Sequence, residues 1–255
     1  TKFYKNLTFN QLIDFYSKLK KRNDREYIKI EKIISDHIKL KKNELKSKYK
    51  VNIQYQASDL KTKEGCNSVI NNIENEFQNF DTLIFSAGAT KSGDFLKQPI
   101  EDFEDGFALK FYSAIRLSKA FWPTLSKNKG WVVSINGAMS HSPDPFFMVG
   151  GAVNAAFLNF SKALSKRGLI DGVNVNSINP GMTSTDRLIT IIQSNADREG
   201  ITFAEAERKA LENIGLDRFG TPEEVAELTY FLCDPKMRHL TGTEINLDGG
   251  KKTTI

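Results

Sequence analysis

Glycine is missing from residues 1–64 altogether; the first is Gly65. A phosphate-cradling turn needs glycine so that backbone N–H groups and a helix N-terminus can approach the anion closely, so no such turn lies in this stretch. Cysteine is scarce too. Cys66 and Cys233 stand far apart with no CxxC and no Cys/His spacing, which argues against a disulfide framework or a metal site and predicts two reduced thiols. No apolar run approaches the length of about 18 residues that a membrane span needs, so none is expected. No segment joins a basic start, an apolar core and a small-residue cleavage site, which makes the cytoplasm the expected compartment.

The 255 residues, 40% of them apolar, suit one large domain or one domain with an appendage. Charge is uneven. Residues 1–50 hold 15 Lys/Arg against 6 Asp/Glu, a surplus larger than the +5 of the whole chain, so the remainder is slightly acidic. Thr8 can cap a helix over FNQLIDFYSKLKK, and residues 26–49 place Ile30, Ile33, Ile34, Ile38 and Leu45 near helical spacing. Residues 1–50 are therefore expected as a basic, mainly helical segment, with a short strand at 27–30 (YIKI) as the alternative. Lys18, Lys20, Lys21, Arg22 and Arg25 cluster beside Phe15 and Tyr16, a composition that would suit a phosphate backbone with stacked bases. The aromatics fit an apolar helix face equally well, and lysine-rich stretches commonly only solvate a surface, so nucleic-acid binding is the subordinate reading.

The chain is organised around residues 131–185. WVVSI reads as a buried strand, GGAVNAAFLNFSKALSK as a helix opening on small residues, and VNVNSINPG as a second strand broken by Pro180 and Gly181. Strand, loop, long helix and strand make one parallel crossover unit, and in such units binding groups gather where strands end. Upstream, VNIQYQASDL reads as a strand ending in Asp59-Leu60, residues 63–77 as a helix, and DTLIFSAGA as the next strand at crossover spacing. Residues 99–126 read as one long helix with Pro99 at its first position and Glu101 and Asp102 at its positive end. Residues 188–216 read as helical and polar. In DRFGTPEEVAELTYFLCDPKMRHLTGTEINLDGG, residues 217–250, Thr221, Pro222 and Glu224 form a capping box with proline at N1, and TEINLDGG is a final strand.

These motifs together resemble the short-chain dehydrogenase/reductase family over residues 51–250, most specifically in the Arg-Phe-Gly-x-Pro-Glu-Glu and Thr-Gly-x-x-Ile-x-x-Asp-Gly-Gly patterns of residues 217–250. The resemblance implies a Rossmann-like, doubly wound, mostly parallel sheet in three α/β/α layers, here with an altered or incomplete first βαβ portion. That opening portion is either replaced by the basic helical segment or lies outside the chain. The expected domains are residues 1–50 and residues 51–255. By the same resemblance the contacts to NAD or NADP would come from Asp59, Leu60, Ser86, Ala87, Gly88, Pro180, Gly181, Thr183 and Thr185. The choice between NAD and NADP stays open, and the glycine-free start counts against either. The helices at 99–126 and 149–166 would form the family's subunit interface, giving a dimer or tetramer.

At the family's catalytic positions the chain departs from the pattern. Aligning Asn154-Ala155-Ala156 on the family's Lys-Ala-Ala places Gly150 at its tyrosine, Asn154 at its lysine and Gly137 at its serine, while Lys110 stands at the asparagine of the preceding long helix. Gly150 has no proton to give, Asn154 carries no charge, and Gly137 offers only backbone. A positioned acid contributes roughly 10²- to 10⁴-fold and one oxyanion donor about 10²- to 10³-fold, so their joint loss predicts impaired hydride transfer. Lys110 either snorkels and pairs on the surface or enters the pocket as its one ionisable group. His141, between Ser140 and Ser142, is a weaker acid/base candidate, and Phe146 and Phe147 are candidates to wall a hydrophobic pocket. Three readings follow: a binding or partner subunit impaired in the family chemistry, an atypical but active NAD(P)-dependent oxidoreductase using Lys110 or His141, and a nucleic-acid-binding protein.

Overall fold

A computed structural model describes residues 39–40, 42–77 and 79–251. The chain divides into two compact units, Thr1–Ala57 and Ser58–Ile255. The helix capped by Thr8, the YIKI segment and the cationic cluster at 18–25 lie outside the described residues. Within the first unit, residues 42–49 are helical.

The strand expected over VNIQYQASDL does not form. Residues 51–59 carry no strand, and Val51 is exposed. A strand needs a neighbouring ladder for its backbone groups and a packed face for its side chains, and no described strand pairs with this stretch. Asp59 instead opens a turn: its carbonyl accepts from Thr62 N at 3.1 Å and its carboxylate accepts from Lys61 N at 3.1 Å. Thr62 then caps α1 (Lys63–Glu76) by accepting from Gly65 N at 2.9 Å.

From there the sequence alternates strand and helix. β1 (Thr82–Phe85), β2 (Trp131–Ile135), β3 (Asn174–Pro180) and β4 (Glu244–Leu247) form one sheet in the order β1-β2-β3-β4, every pair parallel. Successive side chains face opposite sides of the sheet, so Val132 and Val133 serve different layers. Val132 and Val175 pack with Phe85, Leu117, Phe121 and Phe157 on one face, whereas Val133 and Ile178 pack with Leu232 on the other. Helices on both faces of a parallel sheet make the three-layer, Rossmann-like α/β fold that the motifs imply.

The expected long helix over 99–126 is divided. α2 (Ile100–Gly106) leads through a π-helical turn (Phe107–Tyr112) into α3 (Ser113–Lys127). Pro99 is the N-cap, in extended conformation, rather than the first helical residue. The π turn carries Lys110, and such turns re-aim side chains within an otherwise regular helix. The second half of the crossover unit is α4 (Met148–Asp171). After β3, α5 (Asp186–Glu199) and α6 (Phe203–Ile214) close on one another through Leu188, Ile192, Ala206 and Ala210, forming a satellite core of their own.

α7 (Pro222–Leu232) opens as its sequence predicts. Thr221 accepts from Glu224 N, Glu224 accepts from Thr221 N, and Pro222 takes the first helical position. Arg218 grips the Glu224 carboxylate, and that contact, followed by the Thr221 backbone bond, holds the carboxyl down to about 2. Among the described residues no helix is long and apolar enough to cross a membrane.

Candidate functional site

The C-terminal ends of β1, β2 and β3 release three loops, residues 86–90, 136–147 and 181–185, around the π turn of residues 107–112. Ligand-binding groups of open parallel sheets gather at such ends. Each residue named from the sequence can be placed against this frame.

Lys110 enters the interior. It is 8% exposed, and its Nζ donates to Asn136 O and to Asn154 Oδ1, both at 2.7 Å. Both acceptors are neutral, and no carboxylate among the described residues pairs with it. Burial pushes its pKa down to about 7, and the nearby Arg187 charge pushes the same way. Lys110, on the helical stretch after β1, and Asn154, on α4, thus meet side chain to side chain. Gly88 lies against the lysine stem: a Cβ there would stand 3.4 Å from Lys110 Cδ.

The two catalytic-position glycines are fixed by what fills their space. Gly137 has φ 149°, a region open chiefly to glycine, and a Cβ on it would come within 2.8 Å of Asn154 Nδ2. A serine there would require Asn154 to move. At Gly150 a Cβ would fall inside the ring of Phe147. A phenyl group with no hydroxyl therefore occupies the space beside Gly150. The Arg187 guanidinium lies over the Phe147 ring, 5.8 Å from its centre. Phe146 is taken up elsewhere, under Arg198 at 4.5 Å.

Arg187 is the functional candidate that the sequence did not disclose. It belongs to the first turn of α5 and reaches back to Thr90, donating from Nη2 to the carbonyl at 2.6 Å. Lys110 is consequently not the sole ionisable group here. An arginine inside a polar helical stretch gives no sign in sequence that it turns towards a loop 97 residues away.

His141 does not form an acid/base pair with its serine neighbours. Its Nε2 lies 2.6 Å from Glu244 Oε1, while Ser140 Oγ donates to Gly137 O at 3.0 Å. The histidine borders a cavity of about 600 Å³ lined by Leu158 and Val175 as well as Asn159, Lys162 and Thr243.

The residues expected at a dinucleotide fall into two sets. Ser86, Ala87 and Gly88 are exposed at the end of β1 and Pro180 ends β3, so these converge on the same mouth. Thr183 Oγ1 donates to Gly181 O at 3.3 Å, and Thr185 Oγ1 to Thr183 O at 3.3 Å, both within the loop after β3. Gly181 serves packing, since a Cβ would approach Asp248 Cα to 2.9 Å. Asp59 and Leu60 belong to the turn that starts α1. The side-chain oxygen of Asn154 is already engaged by Lys110.

A parallel sheet covered on both faces, with a polar mouth at its strand ends, defines a Rossmann-type protein. The model of the family described as enoyl-(acyl carrier protein) reductase matches residues 32–252. The chain belongs to the short-chain dehydrogenase/reductase family. It is 26% identical to NADPH-dependent reductase BacG of Bacillus subtilis, over 86% of each chain. It is likewise 26% identical to the 3-oxoacyl-(acyl-carrier-protein) reductase FabG of Haemophilus influenzae, over 74% of each. The structure of L-sorbose reductase from Gluconobacter frateurii, complexed with NADPH and L-sorbose, superposes with a TM-score of 0.80 at 25% identity, covering 86% of this chain and 84% of that one.

Proposed function

We propose that this chain is a short-chain dehydrogenase/reductase impaired in the classical transfer of hydride to carbonyls, and that it acts as a ligand-binding or partner subunit. The observation that carries the reading is the Phe147 ring over Gly150, joined to the direct Lys110–Asn154 contact. Hydride delivery to a carbonyl needs a proton for the oxygen as it arrives. No hydroxyl is available at position 150 or 137. A homo-oligomer built on α2 to α4, and a cytoplasmic setting, belong to the same proposal by family resemblance. So does the division into a basic N-terminal segment and a Rossmann domain from about residue 51.

The second reading is an atypical oxidoreductase using NAD or NADP, as the NADPH-dependent relatives do. One observation favours it: Lys110, with a pKa lowered to about 7, would be half protonated near neutrality and so suited to giving or taking a proton. Turnover of NADH and NADPH across a panel of aldehydes and ketones separates the two. The proposal expects oxidation of cofactor no faster than in buffer. Saturable turnover that disappears in Lys110→Met would replace it with the second reading. Nucleic-acid binding through the basic start rests on residues outside the described ones, and retention on DNA that weakens with salt would be its mark.

A further inference from the structure

Lys110 and Arg187 both lie against the loop at 86–90, and among the described residues neither is paired with an anion. Lys110 Nζ bonds only neutral oxygens, and the Arg187 guanidinium contacts Thr90 and the Phe147 ring. The nearby carboxylates are turned to other work or to water: Asp102 takes Lys91 at 2.6 Å, Asp105 takes Lys61 at 3.1 Å, and Asp186 is exposed. Removing two like charges from water without a counter-charge costs free energy, and each opposes the other's ionisation. The lowered pKa of Lys110, with Arg187 named among its causes, is the same conflict seen from the lysine. Arg187 cannot relieve it by losing its proton, because a guanidinium remains charged in proteins.

A bound oxyanion would relieve it. Gly88, in the exposed stretch 86–88, lies against the lysine stem, and Thr90 holds the arginine beside the same loop, so an anion entering at the end of β1 approaches both. Arginine's planar fork suits a carboxylate or phosphate through two parallel bonds, and Lys110 supplies a third, more buried donor. We propose that Lys110 and Arg187 together hold the oxyanion of a small organic ligand, a carboxylate or a phosphate ester, between the loop at 86–90 and the first turn of α5. This goes beyond the proposed function, for the site stands whether or not carbonyls are turned over.

The test reads binding and no turnover, so its failure is distinct from a failure of the functional reading. The full chain is unfolded by heat at pH 7 with potassium phosphate or with sodium pyruvate, against chloride of equal ionic strength. One of the two oxyanions is expected to raise the midpoint by about 2–4 °C over chloride near saturation, since a ligand bound only by the folded state stabilises it. Phosphate acting alone assigns a phosphate ester, and pyruvate acting alone assigns a carboxylate. Arg187→Gln is expected to abolish the rise and Arg187→Lys to retain part of it. No rise over chloride with either anion, or an undiminished rise in Arg187→Gln, overturns the proposal.

Discussion

The segment from Asp217 to Gly250 and the cluster around Gly137 and Gly150 sit on the same sheet and are held together in different ways. The first keeps its Arg218–Glu224 clasp, its capping box and its final parallel strand. The second carries two glycines and an amide at positions 137, 150 and 154, where the resemblance implies a hydroxyl, a phenol and a cation. The pieces fit one another. Asn154 fills the space of a side chain at 137, Phe147 fills that at 150, and Lys110 supplies from the opposite helix the donor that Asn154 Oδ1 accepts. The lesson is that the fold's scaffold and its mouth are separable: the sheet and caps position the loops, while the chemistry at the loop ends can be rebuilt as a consistent set.

The sharpest way to break this contrast is to titrate the rebuilt mouth. Unfolded lysine ionises near its ordinary value, and folded Lys110 near 7. Between those values the unfolded chain binds the extra proton, so the wild type gains stability as pH rises from about 7 to about 10.5, and below 7 it carries the full penalty. Comparing Lys110→Met with the wild type in chemical denaturation should therefore show the wild type gaining on the variant by on the order of 4 kcal/mol across that range. A flat difference would mean that the amine is not strained in the folded state.

A smaller effect is expected at position 150. Gly150→Ala places a methyl inside the Phe147 ring and should cost about 1–3 kcal/mol as overpacking. The double variant with Phe147→Ala should lose less from the added methyl than the single variant does, because the clash is removed. Equal losses in both backgrounds would show that the ring does not own that space. On the scaffold side, Thr221→Ala should cost about 0.5–2 kcal/mol by removing the α7 cap. That loss should leave any anion-induced stabilisation unchanged, and a change there would deny that scaffold and mouth are separable.

Much of the scaffold could be read in advance from local patterns. WVVSI is a strand because a β-branched apolar run can be buried on both faces, and Thr221-Pro222-Glu224 caps α7 because each residue satisfies a backbone group of its own turn. The strand expected at 51–59 failed for the converse reason, since strand pairing is a property of two segments and one alone does not reveal its neighbour. Pro99 as N-cap and the π turn at 107–112 are likewise matters of one turn's register, set by what the helix packs upon. His141 was picked out as titratable, but its partner Glu244 is more than a hundred residues away and carries no local signature.

Sequence by itself determined the alternation of strands and helices and the two glycines and the amide at positions 137, 150 and 154, because side-chain identity and short-range periodicity are written along the chain. Tertiary structure alone decided that Lys110 turns inward onto Asn154, that Phe147 covers Gly150 and that Arg187 joins them. Those contacts join elements 40 or more residues apart or depend on a loop's path, and their energies depend on burial, which arises only when the layers close.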